Sequence, residues 1–237
     1  MHKVAIVLPV LNEKKNLELL LPEIVSRHPD FFIIVIDDNS SDGTSEYLRN
    51  FKNMHNKLNV IHRLERLGVG SAHKQGILRA VELGCEFIVT MDADRTHKVS
   101  DIQKLLNSNE NFDMVIGTRY GNGGGIVGWS LFRHLLTRLG HFATYLFFSS
   151  NFDMSSGMRS YKSSSLPLDV LINKTADQYD YFFTSVLLFK RIGLSIGQVE
   201  IILNNREYGN SKMSLKLMFN GVLSLVKYGL RIRKIDP

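Results

Sequence analysis

Short apolar runs alternate with amphipathic stretches through the first half of the chain. Residues 3–10 (KVAIVLPV) read as a strand. Over 14–27, Leu17, Leu20, Leu21 and Ile24 recur on one face at helical spacing, which predicts an amphipathic helix. The run FFIIVID at 31–37 has no polar alternate, so it fits a strand buried on both faces of a parallel sheet. The series continues with a helix from about Ser41, a strand around Val60 and Ile61, a helix over 70–83 and a strand over 87–91. A helix over 100–107 and a strand over 114–117 follow. Beyond Arg119 a glycine-rich loop at 121–125 leads into a long helix over 129–148. A short strand over 157–161, a helix over 179–190, a strand over 196–203 and a last helix over 214–231 complete the chain.

Strand–helix alternation of this kind predicts an α/β fold with a mostly parallel central sheet and helices on both faces. Ligands of such sheets bind beyond the carboxyl ends of the strands. Four predicted strand ends carry polar clusters: Asn12-Glu13, the stretch 37–44 (DDNSSDGT), Asp92-Ala93-Asp94, and Thr118-Arg119. Singly, each has a plain structural explanation, with Asp42 or Ser41 as a helix cap and Gly43 as a turn residue. Together they predict that Asp38 and the Asp92/Asp94 pair converge on one sheet edge. Three carboxylates there would repel one another, and a divalent cation relieves the repulsion. Carboxylate oxygens suit Mg²⁺ or Mn²⁺, which share their coordination shell with substrate phosphates.

Composition adds four constraints. With 237 residues, 44% of them hydrophobic, the chain can bury the core of one domain over 1–237. A net charge of +6 points to an anionic partner. Its basic residues cluster with the metal-type carboxylates rather than along one stripe, which disfavours nucleic acid. Cys85 is the only cysteine, so no disulfide forms within the chain. No run reaches the roughly 18 apolar residues of a membrane-spanning helix.

The segments LPVLNE, IDDNSSDGT and MDAD, in that order, resemble family 2 glycosyltransferases of the GT-A nucleotide-sugar-binding fold. Further on, GTRYGNGGGIVGWSLFRHLLTRLG, DMSSGMRSY and NNREYGNSKMS resemble the dolichol- or polyprenol-phosphate mannose synthase branch. The resemblance covers nearly the whole chain. It implies an inverting, metal-dependent transfer of mannose from GDP-mannose, or next UDP-glucose, to a polyprenyl or dolichyl monophosphate. It also implies that Pro9, Leu11, Glu13, Ile36 and Asp38 line the nucleotide pocket, and that Asp92 and Ala93 contact the donor. Asp94 and Thr96 would hold Mg²⁺ or Mn²⁺, and Arg119, Arg133, Arg206 and Lys212 would surround the diphosphate and the acceptor phosphate. Ser156 and Arg159 would shape the acceptor site. The sequence departs from the branch at Leu11, where an aromatic residue is common, at Thr137, where serine is usual, and over Arg95-Thr96-His97-Lys98-Val99, which keeps Thr96 and His97 but loses the usual proline after the histidine and adds two cations.

An Arg-rich site suits a phosphate acceptor, which is already ionised and needs little help from a general base. A sugar hydroxyl would want a positioned base, for which Asp153 and Asp180 are the candidates. The alternatives are transfer to a glycan or lipid-linked hydroxyl, and a nucleotide-sugar-binding subunit without turnover. Two basic amphipathic stretches, 128–148 and 213–233, have the pattern of membrane-interface helices or of ordinary surface helices. The expected location is the cytoplasmic face of a membrane, peripherally bound, with recruitment by a membrane-anchoring partner.

Overall fold

The computed structural model describes residues 2–129, 131–148 and 150–209, excepting the side chains of Phe132, Arg133, Leu136, Ala143 and Phe147. Strand β1 (Val4–Val10) leads into helix α1 (Lys14–Arg27), followed by β2 (Phe32–Asp37), α2 (Thr44–Met54) and β3 (Leu58–His62). Next come α3 (Val69–Glu82), β4 (Phe87–Thr90), α4 (Asp101–Ser108) and β5 (Met114–Thr118). The second half holds β6 (Gly125–Ile126), α5 (Leu131–Phe148), β7 (Arg159–Lys162), a 3₁₀ turn (Ser163–Ser165) and α6 (Leu168–Asn173). It closes with α7 (Tyr181–Arg191), β8 (Ile196–Glu200) and β9 (Ile202–Leu203).

Seven strands form one sheet in the order β3-β2-β1-β4-β7-β5-β8, and every pair is parallel except those of β7 with β4 and β5. The first two strands show why. Along β1, Val4, Ile6, Leu8 and Val10 pack into one core layer, while Ala5 and Val7 pack into the other. Along β2, Ile33 and Val35 face the first layer, Ile34 and Ile36 the second. A strand apolar on both sides is stable only when helices cover both faces, at about 1.5–3 kcal/mol per large side chain buried. The predicted face of α1 (Leu17, Leu20, Leu21, Ile24) covers one layer. Helix α3 covers the other and comes in close at Gly76, where a Cβ would lie 2.2 Å from Val7 Cγ1.

Three sequence expectations change. The strand expected over 196–203 splits: Ile201 N–H still donates to Thr118 O at 2.9 Å, but the next two residues leave the main sheet and pair with β6. Helix α6 and the two-residue β6 are too short for periodicity to reveal. Helix α2 begins at Thr44 rather than near Ser41, because Gly43 turns the chain at φ 88° just before it. The helix expected over 214–231 lies outside the described residues, as does the stretch 213–233.

Candidate active site

Loops after β1 and β2 are laced together at the carboxyl edge of the sheet. Asn12 sits in the left-handed region at φ 55°, which a short amide side chain tolerates. There its Oδ1 accepts from Ser41 N–H at 2.7 Å, and its own N–H donates to Ser40 Oγ at 2.8 Å. Asp42, a predicted cap, accepts from the N–H groups of Lys14 and Thr44 and so ties the starts of α1 and α2 to each other.

Asp38 does not join the Asp92/Asp94 pair in the way the sequence suggested. Its carboxylate is buried, pairs with Arg63 Nη1 at 3.0 Å, and accepts from the N–H groups of Leu67 at 2.9 Å and Gly68 at 3.1 Å. Arg63 also donates to Gln75 and Ser71, so this buried ion pair fixes the loop entering α3. Ile36 belongs to the core under α3 and is fully buried, which removes it from any pocket lining. Pro9 and Leu11 remain partly exposed at the end of β1.

The third carboxylate beside Asp92 and Asp94 is Glu13. Asp94 Oδ1 accepts from the Thr96 hydroxyl at 2.6 Å and from Thr96 N–H at 3.1 Å. Asp94 Oδ2 accepts two bonds from Arg206, from Nη2 at 2.7 Å and Nε at 3.1 Å. Arg206 Nη1 reaches Glu13 Oε1 at 3.4 Å, and Glu13 Oε2 accepts from Asn16 Nδ2 at 2.6 Å. Burial opposes ionisation of Asp94, but Arg206 and Thr96 outweigh it and hold the carboxyl below the usual range. Partial burial, then the neighbouring Asp94 charge, push the Asp92 carboxyl the other way. Asp92 N–H donates to His97 Nδ1 at 3.1 Å, which puts the imidazole proton on Nε2. The Ala93 methyl points into the core, so only its main chain can face a ligand.

At the end of β5, Arg119 is committed to Asp153 through two bonds, Nε–Oδ2 at 2.7 Å and Nη2–Oδ1 at 2.6 Å, and it also donates to Ser155. Asp153 is buried, the Arg119 guanidinium beside it holds its carboxyl below the usual range, and both of its oxygens are engaged by that guanidinium. Arg159 is fully buried and donates to the carbonyls of Ser156, Met154 and Phe182 and to Ser185 Oγ. It therefore pins the loop 153–158 to α7 and does not itself face an acceptor. Ser156 is buried with it. That loop passes so close to the acidic pair that a Cβ on Gly157 would lie 2.8 Å from Asp92 Oδ1.

Of the predicted site residues, Glu13, Asp92, Asp94, Thr96 and Arg206 come together. Arg119 stands next to them, and Asp92 is among the charges acting on its guanidinium. Arg133 lies on α5 with its side chain outside the description, and Lys212 falls outside the described residues. Three contributors escaped the sequence reading. Arg63 neutralises Asp38, and Tyr179 stands where Asp92, Arg206, Asp94 and Glu13 all act on its hydroxyl. Arg95, in the left-handed region at φ 63°, pairs with Glu207 at 2.8 Å and Glu23 at 3.2 Å. Only Arg95 had a signal, a cation directly after Asp-x-Asp.

Among the described residues no three His, Cys, Asp or Glu side chains form a ready metal cage. The oxygen donors of Asp94 and Thr96 nonetheless fit a hard divalent ion that completes its shell with water and diphosphate oxygens. A cation, the Arg206 guanidinium, is already drawn to that carboxylate.

Comparisons with known proteins agree with the fold. The family model described as glycosyl transferase family 2 matches residues 5–167. An undecaprenyl-phosphate mannosyltransferase of Micrococcus luteus is 30% identical, over 98% of this chain and 96% of that protein. A polyprenol monophosphomannose synthase of Mycolicibacterium smegmatis is 28% identical, over 98% and 89%. Among solved structures, glucosyl-3-phosphoglycerate synthase from Mycobacterium tuberculosis, in complex with Mn²⁺, UDP and glucosyl-3-phosphoglycerate, superposes with a TM-score of 0.70. That match has 19% identity and spans 100% of this chain and 81% of the other, and it shows a shared GT-A fold.

Proposed function

The chain belongs to glycosyl transferase family 2, and from that premise we propose that it transfers mannose from GDP-mannose to a polyprenyl monophosphate, with inversion and with Mg²⁺ or Mn²⁺ bound. The observation that carries the reading is the meeting of Asp94, Thr96, Glu13, Asp92 and Arg206 at the carboxyl ends of β1 and β4. The near full-length likeness to an undecaprenyl-phosphate mannosyltransferase and a polyprenol monophosphomannose synthase supports mannose as the sugar and a polyprenyl phosphate as the acceptor.

An acceptor phosphate oxygen attacks the anomeric carbon as the bond to the donor diphosphate breaks on the opposite face. The nucleoside diphosphate leaves with that electron pair. No proton need be removed, because the acceptor phosphate is already ionised. Asp94 and Thr96 would hold a divalent ion, which would supply positive charge to the departing diphosphate. Arg206 adds a planar donor fork beside it, suited to phosphate oxygens. Arg119, held rigid by Asp153, gives a fixed positive edge to the pocket. Asp92, close to both, is placed to orient the sugar.

Helix α5 supports a peripheral membrane contact. Leu131, Leu135, Leu139, Phe142 and Leu146 recur every three or four residues and are all exposed, Leu131 at 88% and Leu146 at 64%. No helix among the described residues is long and apolar enough to cross a membrane.

The test is transfer of radiolabelled sugar from GDP-mannose, with UDP-glucose in parallel, to a short polyprenyl phosphate in Mn²⁺, Mg²⁺ or EDTA. Metal-dependent label in the lipid, reduced at least about 100-fold in Asp94→Ala, is the expected result. Label on a sugar hydroxyl alone would sink the lipid-phosphate acceptor.

A further inference from the structure

Arg206 has two features that transfer chemistry alone does not require. Its Nε–Nη2 edge closes over a single oxygen of Asp94, the oxygen left open by the Thr96 contacts on the other side of the carboxylate. The segment that carries it, 204–209, is moored at several points. Asn204 N–H donates to Thr96 O at 2.9 Å, and Glu207 is held at 2.8 Å by Arg95, which also grips Glu23 of α1 at 3.2 Å. Tyr208 O accepts from Asn16 Nδ2 at 3.3 Å, and Lys15 Nζ lies 5.9 Å from the Tyr208 ring centre. These contacts draw the strap across the Asp94–Glu13 pair. Without a counter-charge, two largely buried carboxylates so close would repel strongly.

We infer that Arg206 is the built-in counter-cation of Asp94 and Glu13 before loading, and that a divalent metal binds Asp94 only by exchanging with it. Resting on the metal reading above, this makes loading an exchange reaction. Arg206 would release Asp94 to the ion and pass to the incoming phosphate oxygens, which offer a guanidinium a new bidentate partner. Metal arriving alone leaves Arg206 without that partner and must compete with it. Metal arriving with a diphosphate does not. Arg95 is then a positioning residue, since its grip on Glu207 sets how far the strap can withdraw.

Two measurements test this without any turnover. Mn²⁺ alone is titrated into wild type, Arg206→Gln, Arg206→Lys and Arg95→Gln, with bound ion read by electron paramagnetic resonance and folding checked by thermal melting. Removing two charge-assisted bonds that the metal must displace is expected to tighten Mn²⁺ at least about 10-fold in Arg206→Gln. Arg206→Lys, which keeps the charge without the fork, should fall between, and Arg95→Gln should tighten binding by a smaller factor. In wild type, hydrogen exchange over 202–209 should accelerate on adding Mn²⁺ and slow again on adding GDP. Equal or weaker Mn²⁺ affinity in Arg206→Gln overturns the exchange, as does failure of all variants to bind at millimolar Mn²⁺. If the competition is found but no lipid is labelled, the proposed acceptor fails and the exchange stands.

Discussion

At the scale of single residues, the acidic pair is set by what crowds it as much as by its own charge. Asp92 has a 41% exposed side chain and, among the described residues, no Lys or Arg paired with it, so its direction depends on the backbone that passes beside it. Gly157 is the point of closest approach. Gly157→Ala would put a methyl 2.8 Å from Asp92 Oδ1, and the carboxylate, at the free end of a side chain, would yield before the loop does. Stability should therefore change little while sugar transfer drops at least about 10-fold, since a misplacement near 1 Å costs about that or more. Parallel melting curves and lipid-labelling rates check both halves. A large drop in melting temperature would show instead that the loop moved. The sequence made Asp92 and Asp94 legible because several polar clusters fall together at strand ends, and the family resemblance added Thr96. It could not assign Asp38, whose partner Arg63 lies 25 residues away. Nor could it tell a guanidinium facing substrate from one buried under the loop, as Arg159 is. Both require knowing what packs against what.

At the scale of elements, α3 and α7 meet through a buried ring stack. His73 lies parallel to Tyr181, with centroids 5.4 Å apart, and edge-on to Phe182 at 5.2 Å. It is fully buried, and neither ring nitrogen has a hydrogen-bond partner among the described residues. Burial, then the nearby positive charge of Arg159, pushes its pKa down to about 3. In the unfolded chain the same group titrates near 6.5. Between those values the unfolded state binds the proton and the folded state does not, so His73 favours unfolding progressively as pH falls below about 6.5. From pH 7 to pH 4.5 the loss from this residue is on the order of 2–3 kcal/mol. Urea denaturation at the two pH values should show it, and His73→Phe should remove that part of the slope. An unchanged slope would assign the acid sensitivity to other groups. Long periodic elements such as α1 were legible to the residue, and β7 was legible as a strand over 157–161 but not in its place in the sheet. Its antiparallel insertion between β4 and β5 depends on where the 153–158 loop is tied, which no local pattern records.

At the scale of the whole molecule, charge and exposed apolar surface have to be explained together. The chain carries +6, and α5 displays a stripe of large apolar side chains that a monomer surface rarely leaves uncovered. Periodicity alone permitted a core-facing or an outward-facing stripe, and the fold turns it outward. Tyr120, stacked on His141 at 3.9 Å and bonded through its hydroxyl to Thr137 O at 3.2 Å, fixes α5 to the end of β5. The stripe is therefore held next to Arg119 and the carboxyl edge of the sheet, where a lipid phosphate with its chain in a bilayer would have to arrive. Insertion of such a stripe adds a salt-insensitive apolar contribution to a salt-sensitive attraction for anionic lipid. Sedimentation with vesicles containing anionic lipid should show strong binding at low salt and weaker, residual binding at high salt. Replacing Leu139 and Phe142 with Asp should remove the residual part and leave soluble nucleotide binding intact. If the double variant sediments like wild type, α5 is not the face that meets the membrane. Loss only of the salt-sensitive part would mean that the stripe merely adjoins a basic contact.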